Sequence, residues 1–305
     1  MDDVIARALA ELVPGARRGV LNRDGRTLRW VVAGTGSPTV VLDAASGTPS
    51  TTWTPILPAL AAHTRVIAYD RAGLGASDPV RALTARSSVE DLLALLRAAG
   101  EGPCVLVGNS WGGLLAQLAA RVAPDLVAGL VLVDPAHEDF QPRATVVRER
   151  LLLRRLVRRI RLGRLDDELR MDAIATARAL TDDPRIHELL AAAELACFAQ
   201  PSQLRTILAE NKVAAGSARR VRKLRARLPL PDVPVVVLSA TTGLPDAMRA
   251  RWTALQGNIV SGLAQGEHIV VAEAGHYVHQ SRPDVVADAV LSVVDRVRDG
   301  RAAAT

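Results

Sequence analysis

The run Gly108-Asn109-Ser110-Trp111-Gly112 places a serine hydroxyl between glycines in the pattern G-x-S-x-G. The apolar stretch Cys104–Gly108 precedes it and the helix-forming stretch Trp111–Val122 follows. On such a strand-to-helix turn the serine is exposed at the first turn of the helix. There the dipole and free backbone N–H groups favour developing negative charge. The glycines let strand and helix approach closely. A serine hydroxyl is a poor nucleophile without an adjacent base, and the chain has six histidines. His276 fits best. It lies in Glu273-Ala274-Gly275-His276-Tyr277, after the last strand-like segment, where Gly275 lets the backbone bend and the ring swing over the sheet edge. His63 and His187 sit in helical polar contexts, and His268 begins a strand. His279 reads as a hydrogen-bonded structural residue, and His137 as one lining a pocket. The base needs an acid to hold its tautomer and stabilise the imidazolium. Asp134, in Val133-Asp134-Pro135, and Asp246, after Pro245, both keep the order Ser…Asp…His. A turn residue before proline and a helix N-terminal residue are their structural readings. Both stay open as the acid.

These residues need a scaffold. Residues 1–13 suggest a short amphipathic helix. Arg17–Leu21 and Thr27–Ala33 read as strands joined by the turn Asn22-Arg23-Asp24-Gly25. Further strands are expected at Thr39–Leu42, Arg65–Tyr69, Cys104–Gly108, Leu130–Val133, Val233–Ser239 and His268–Ala272. Helices are expected at Trp53–Ala62, Ser88–Ala99 with a serine at its start, Trp111–Val122, Pro245–Gln256 and Arg282–Arg298. Alternating strands and helices with continuously apolar strands predict an α/β fold, a mostly parallel central sheet flanked by helices. From Glu138 to Leu230 the alternation gives way to basic helices. The expected organisation is a core of residues 1–137 and 231–305 interrupted by a helical insertion at 138–230.

Composition bounds the function. The 305 residues are 49% hydrophobic, 23% charged and 3% aromatic, which is globular, with a core built from Leu, Val and Ala. Cys104 and Cys197 are the only cysteines, Cys104 within an apolar run, so no disulfide framework is implied. No apolar run approaches a membrane span or a signal peptide, and a cytoplasmic protein is expected. The net charge of +6 concentrates in Arg143–Arg164 and Ser217–Arg227. In the first of these, Leu151, Leu152, Leu153, Leu156, Val157 and Ile160 form a stripe between arginines, so the charges read as a solvated helix face. Interleaved aromatics and recognition motifs are missing, which argues against nucleic acid as a partner. No cluster has metal-ligand spacing, and Gly73-Leu74-Gly75 lacks the third glycine and helix start of a dinucleotide site.

In four stretches the chain resembles the α/β-hydrolase family. They are the elbow Gly108–Gly113, the segment Tyr69-Asp70-Arg71-Ala72-Gly73-Leu74-Gly75-Ala76-Ser77-Asp78, the strand end Leu132-Val133-Asp134, and Gly275-His276 followed by Arg282-Pro283. They occur in order within residues 17–298. The resemblance implies that the insertion is the family's variable cap. The family's usual acid position falls within Ser239-Ala240-Thr241-Thr242-Gly243, which has no carboxylate. Some members carry the acid after the preceding strand, where Asp134 stands, so the resemblance favours Asp134 over Asp246. Many members have His-Gly after the third strand, next to an oxyanion-hole amide. Here Asp43-Ala44-Ala45-Ser46-Gly47 stands there, so the implied donors are the amides of Ser46 and Trp111.

Haloalkane dehalogenases and epoxide hydrolases of this fold need an aspartate where Ser110 stands. Serine implies acyl chemistry without a cofactor, and cleavage of a carboxylic ester or lactone through an acyl-enzyme is the expectation. The Leu- and Ala-rich insertion, with Trp111, Phe140 and Tyr277 near the pocket, suggests a small hydrophobic substrate. The alternatives are an acyltransferase or thioesterase and a non-catalytic ligand-binding member. A homo-oligomer is compatible with the sequence.

Overall fold

The computed structural model describes residues 2–140, 143–163, 166–198 and 200–302. Its strands are β1 (Arg17–Arg23), β2 (Arg26–Ala33), β3 (Val40–Asp43), β4 (Val66–Asp70), β5 (Cys104–Asn109), β6 (Val127–Val133), β7 (Val235–Ala240) and β8 (Gly266–Val271). They form one sheet in the order β1-β2-β4-β3-β5-β6-β7-β8. The β1–β2 and β2–β4 pairs are antiparallel and the others parallel. At the β1–β2 hairpin Arg23 pairs with Arg26, and Asp24 and Gly25 between them both have positive φ, 50° and 73°. That geometry makes a two-residue turn compatible with strand twist.

The strands alternate their side chains between two layers. Val40, Leu42, Val105, Val107, Val131, Val133, Val236 and Leu238 face one core. Val41, Cys104, Leu106, Leu130, Leu132, Val235 and Val237 face the other. Burial on both faces is what continuous apolar strands require of a parallel sheet. The helices that follow are α1 (Asp2–Leu12), α2 (Leu57–Ala61), α3 (Ala85–Ala99), α4 (Trp111–Val122), α5 (Arg143–Arg161), α6 (Asp166–Leu180), α7 (Pro184–Phe198), α8 (Pro201–Gly216), α9 (Ala218–Arg227), α10 (Asp246–Val260), α11 (Val278–Ser281) and α12 (Pro283–Ala302). Ile5 of α1, Leu57 of α2 and Val286, Val290, Val293 and Val294 of α12 cover the first face. Leu92 and Leu96 of α3, Leu114, Leu115 and Leu118 of α4 and Ile259 of α10 cover the second.

Three local expectations are corrected. The α3 helix begins at Ala85, not Ser88, because Thr84 caps it. The Thr84 hydroxyl accepts from the Ser87 amide, and the Ser87 hydroxyl accepts from the Thr84 amide, each at 3.0 Å. This reciprocal cap satisfies two donors that a later start would leave open. The expected helix at Trp53–Ala62 is instead a 3₁₀ turn, Ser50–Trp53, and the short α2. In α5, Val157 is buried but Leu151 and Leu152 are about half exposed, so the expected apolar stripe is not one buried face. Arg164, at the end of the basic run, and residues 303–305, at the end of the expected core, lie outside the described residues.

The helices α5–α9 all lie in the connection between β6 and β7. The sequence groups α1 with the sheet, yet α1 also reaches the insertion. Its Ala8 is buried among Ala173, Ala177 and Leu180 of α6 and Ile186 and Leu190 of α7.

Candidate active site

Ser110 joins β5 to α4 with φ 51° and ψ −113°, a strained conformation for a residue with a Cβ. Its N–H donates to Val133 O at 3.1 Å and its carbonyl accepts from Ala136 N at 2.9 Å, so the end of β6 holds the strained turn on both sides. The flanking glycines are steric necessities. A Cβ on Gly108 would lie 2.5 Å from the Gly112 backbone, and one on Gly112 would collide with the carbonyls of Asp43 and Ala44. Ser110 is half-buried.

Asp134 and His276 are brought together and Asp246 is not. His276 Nδ1 lies 2.6 Å from Asp134 Oδ2 across 142 residues of chain. Asp134 ends β6 with φ 41° and has no exposed surface. The Asn109 side chain donates to the His276 carbonyl at 3.0 Å and to Val133 O at 2.8 Å, tying the histidine loop to the residue before Ser110. Asp246 is exposed in the first turn of α10, its structural reading. The loop bend differs from expectation. Glu273, φ 58°, carries the left-handed residue, whereas a Cβ on Gly275 would meet only Thr242 Oγ1, at an ordinary 3.7 Å.

Asp134 has further partners that the sequence did not expose. Gln256 Nε2 donates to its Oδ1 at 3.0 Å, Arg249 reaches the same oxygen at 3.1 Å, and the Ala240 amide does so at 3.2 Å. Burial pushes the Asp134 carboxyl up. The His276 hydrogen bond and charge, with Arg249 and Gln256, outweigh that and hold it below the ordinary carboxylate range. Arg249, Trp252 and Gln256 share one stripe of α10, at spacings of three and four residues. That spacing was the available signal, but ordinary helix surfaces show it too. Trp252 packs edge-on at 5.4 Å from the His276 ring and 4.4 Å from Phe140. Tyr277 packs at 5.6 Å from His276, so Phe140 and Tyr277 do gather near the histidine. The Trp111 side chain does not: it is buried in the core beneath α4, because its position on the helix faces the sheet.

The loop after β3 runs beside the elbow, with Asp43 paired to Gly108. Arg71 is buried under it. Its guanidinium donates to Asp43 Oδ1 at 2.5 Å, to the carbonyls of Ala44 and Ala45 at 2.6 Å each, and to both oxygens of Glu210 on α8 at 2.7 and 2.9 Å. Glu210 also accepts the Gly47 amide at 2.6 Å. Burial alone would lower the Arg71 pKa, but Glu210 and Asp43 raise it well above its ordinary value. Ser46 is half-buried, with its hydroxyl 3.5 Å from Asn211 Oδ1. Among the described residues no acceptor takes the amides of Ala45 or Ser46. Arg71 and Glu210 were both missed as site residues, since 139 positions separate them.

Of the other histidines, His279 is fully buried, with Nε2 2.9 Å from Thr52 Oγ1 and its ring against Trp53. Burial pushes it down to about 3. His137 and Glu138 are buried and Asp139 beside them is exposed, and their ligand atoms converge within 4.8 Å. Each carboxylate is engaged by an arginine, Glu138 by Arg225 at 2.8 Å and Asp139 by Arg222 at 2.6 Å. Guanidinium groups there supply the positive charge that a metal would otherwise bring.

A family model described as the alpha/beta hydrolase family matches residues 31–289. The chain belongs to this family. Among relatives, the uncharacterized protein YqjL of Bacillus subtilis is 37% identical over 108 residues, 35% of this chain and 43% of that protein. Lipase LipV of Mycobacterium tuberculosis is 45% identical over 71 residues, 23% of this chain and 27% of that one. The matched stretches span less than half the length of either relative. Among solved structures, wild-type Cfl2 from Burkholderia cenocepacia superposes with a TM-score of 0.72 at 23% identity, covering 92% of this chain and 96% of that one. Such similarity at low identity shows the fold. Among the described residues no helix is long and apolar enough to cross a membrane.

Proposed function

We propose that this hydrolase cleaves a carboxylic ester or lactone through an acyl-enzyme on Ser110, with His276 as base and Asp134 as the acid that orients it. The observation that carries this reading is the 2.6 Å contact between His276 Nδ1 and buried Asp134, beside a strained serine at a helix N-terminus. With Nδ1 engaged, Nε2 is the ring nitrogen left for the Ser110 hydroxyl.

Ser110 Oγ bonds to the substrate carbonyl carbon while its proton passes to His276, and the carbonyl π pair moves onto oxygen. The amides of Trp111 and of Ala45 or Ser46 receive that oxyanion, since Glu210 already occupies Gly47. As the pair returns, the C–O bond to the alkoxide breaks and His276 gives it the proton. A water deprotonated by His276 then repeats the sequence, releasing the acid and restoring Ser110. Residues 138–230 act as a cap, and the aromatic cluster of Phe140, Trp252 and Tyr277 favours a hydrophobic substrate. A lipase among the relatives supports ester chemistry.

Labelling with a fluorophosphonate and turnover of p-nitrophenyl esters and lactones test the reading. Ser110→Ala is expected to abolish labelling and to lower kcat by several orders of magnitude in a folded protein. Retained turnover removes the serine mechanism.

A further inference from the structure

We propose that Glu210, carried by the inserted helix α8, is a positioning residue that sets the oxyanion loop 44–47 through Arg71. This rests on the serine-hydrolase reading above.

The geometry begins with peptide planarity. In a trans peptide the C=O and the following N–H point in opposite directions. Arg71 holds the carbonyls of Ala44 and Ala45. The N–H groups of Ala45 and Ser46, in the same two peptide planes, therefore point away from Arg71. The next amide, Gly47, turns back and donates to Glu210. One carboxylate thus fixes both ends of the segment: it anchors the guanidinium that grips the two carbonyls, and it takes the amide after them. Gly47 needs φ 73° to make that turn, and Ile207 of α8 packs where its Cβ would be.

The guanidinium cannot hold this pose unaided. Arg71 is 5% exposed and Glu210 has no exposed surface, so the cation needs its carboxylates on opposite sides to remain buried. Asp43 supplies one from β3, itself held by the Tyr69 hydroxyl at 2.8 Å. Glu210 supplies the other from a helix more than 130 residues away. The arrangement of the two candidate oxyanion donors is consequently set by the insertion as well as by the sheet.

The same face of α8 offers an internal control. Gln203, seven residues before Glu210, docks the helix by exchanging hydrogen bonds with the N–H and C=O of Gly75, at 2.9 and 2.6 Å. It secures α8 to the core without touching loop 44–47.

The experiment compares Glu210→Gln, Glu210→Asp and Gln203→Ala with wild type. It measures kcat and KM on a p-nitrophenyl ester, the fluorophosphonate labelling rate at Ser110, and Tm. Both Glu210 variants are expected to lose roughly 10–100-fold in kcat, with KM within about threefold and slower labelling, as misplaced transition-state donors produce. Gln203→Ala is expected to lower Tm with kcat within about twofold. Wild-type kcat in either folded Glu210 variant overturns the proposal. So does a kcat loss in Gln203→Ala equal to theirs, or failure of both Glu210 variants to fold, which assigns Glu210 to stability alone. A wild type unlabelled at Ser110 removes the serine mechanism and this role with it. Normal labelling of wild type and variants alike removes this role only.

Discussion

Asp134→Asn separates the two candidate acids and can be worked from the structure. Asp134 receives His276 Nδ1, Arg249, Gln256 Nε2 and the Ala240 amide, and the last three converge on Oδ1. An asparagine has one acceptor oxygen and one NH2. With its oxygen toward the three donors, its NH2 meets His276 and forces the ring into the tautomer that cannot take the Ser110 proton. Turned the other way, the NH2 faces Arg249 and Gln256. The first orientation keeps more hydrogen bonds, so a loss of about 10³–10⁴ in kcat is expected, or about 4–5.5 kcal/mol of barrier. Removing the charge beside buried Arg249 also destabilises the fold, by about 3–5 kcal/mol. Kinetics on a p-nitrophenyl ester therefore need a parallel circular-dichroism melt. Asp246→Asn, at an exposed helix start, is expected to stay within about twofold of wild type. A folded Asp134→Asn within tenfold of wild type, or an equal loss in Asp246→Asn, refutes the reasoning. A stability check accompanies it. Because the folded Asp134 carboxyl is depressed, its contribution is present above the ordinary carboxylate value and is lost as pH falls through the depressed one. Asp134→Asn should flatten acid unfolding in that window.

His279 is buried neutral, pushed down from its usual 6.5 to about 3. The unfolded chain then binds a proton that the fold refuses, so stability falls as pH drops below about 6.5, by about 4–5 kcal/mol at pH 3. Melts of His279→Gln between pH 7 and 4 should show a shallower decline, and an unchanged slope would contradict the burial. The two glycines beside the proposed catalytic residues should behave oppositely. Gly112→Ala drives a methyl into the Asp43 and Ala44 carbonyls and should abolish folded, active protein, whereas Gly275→Ala meets only Thr242 Oγ1 at an ordinary contact distance and should stay within about 1 kcal/mol and near-full activity. Equal tolerance at both positions, by Tm and ester turnover, would show that the strand–helix approach at the elbow is looser than described.

The strand–turn–helix around Ser110, the succession of strands along the chain and a run of helices between β6 and β7 were legible in the sequence. Each is written in short-range pattern: G-x-S-x-G after an apolar run, alternation of strand and helix, and its interruption from Glu138. The choice between Asp134 and Asp246 was not, since both follow strands and keep the same order. In the fold His276 reaches back across β7 to the end of β6 and meets Asp134, a contact over 142 residues. The bend of that loop was misplaced onto Gly275 because glycine is the usual left-handed residue, while Glu273 takes the position instead. Arg249, Gln256, Arg71 and Glu210 look in sequence like any charged or amide residue on a helix or loop. Their roles come from burial, which removes water as a partner and forces each charge to find one inside the protein. Local periodicity can specify elements because it depends on neighbours three or four residues apart. Which distant charges meet beneath loop 44–47 depends on how α8 packs on the sheet, and only the tertiary structure decides that.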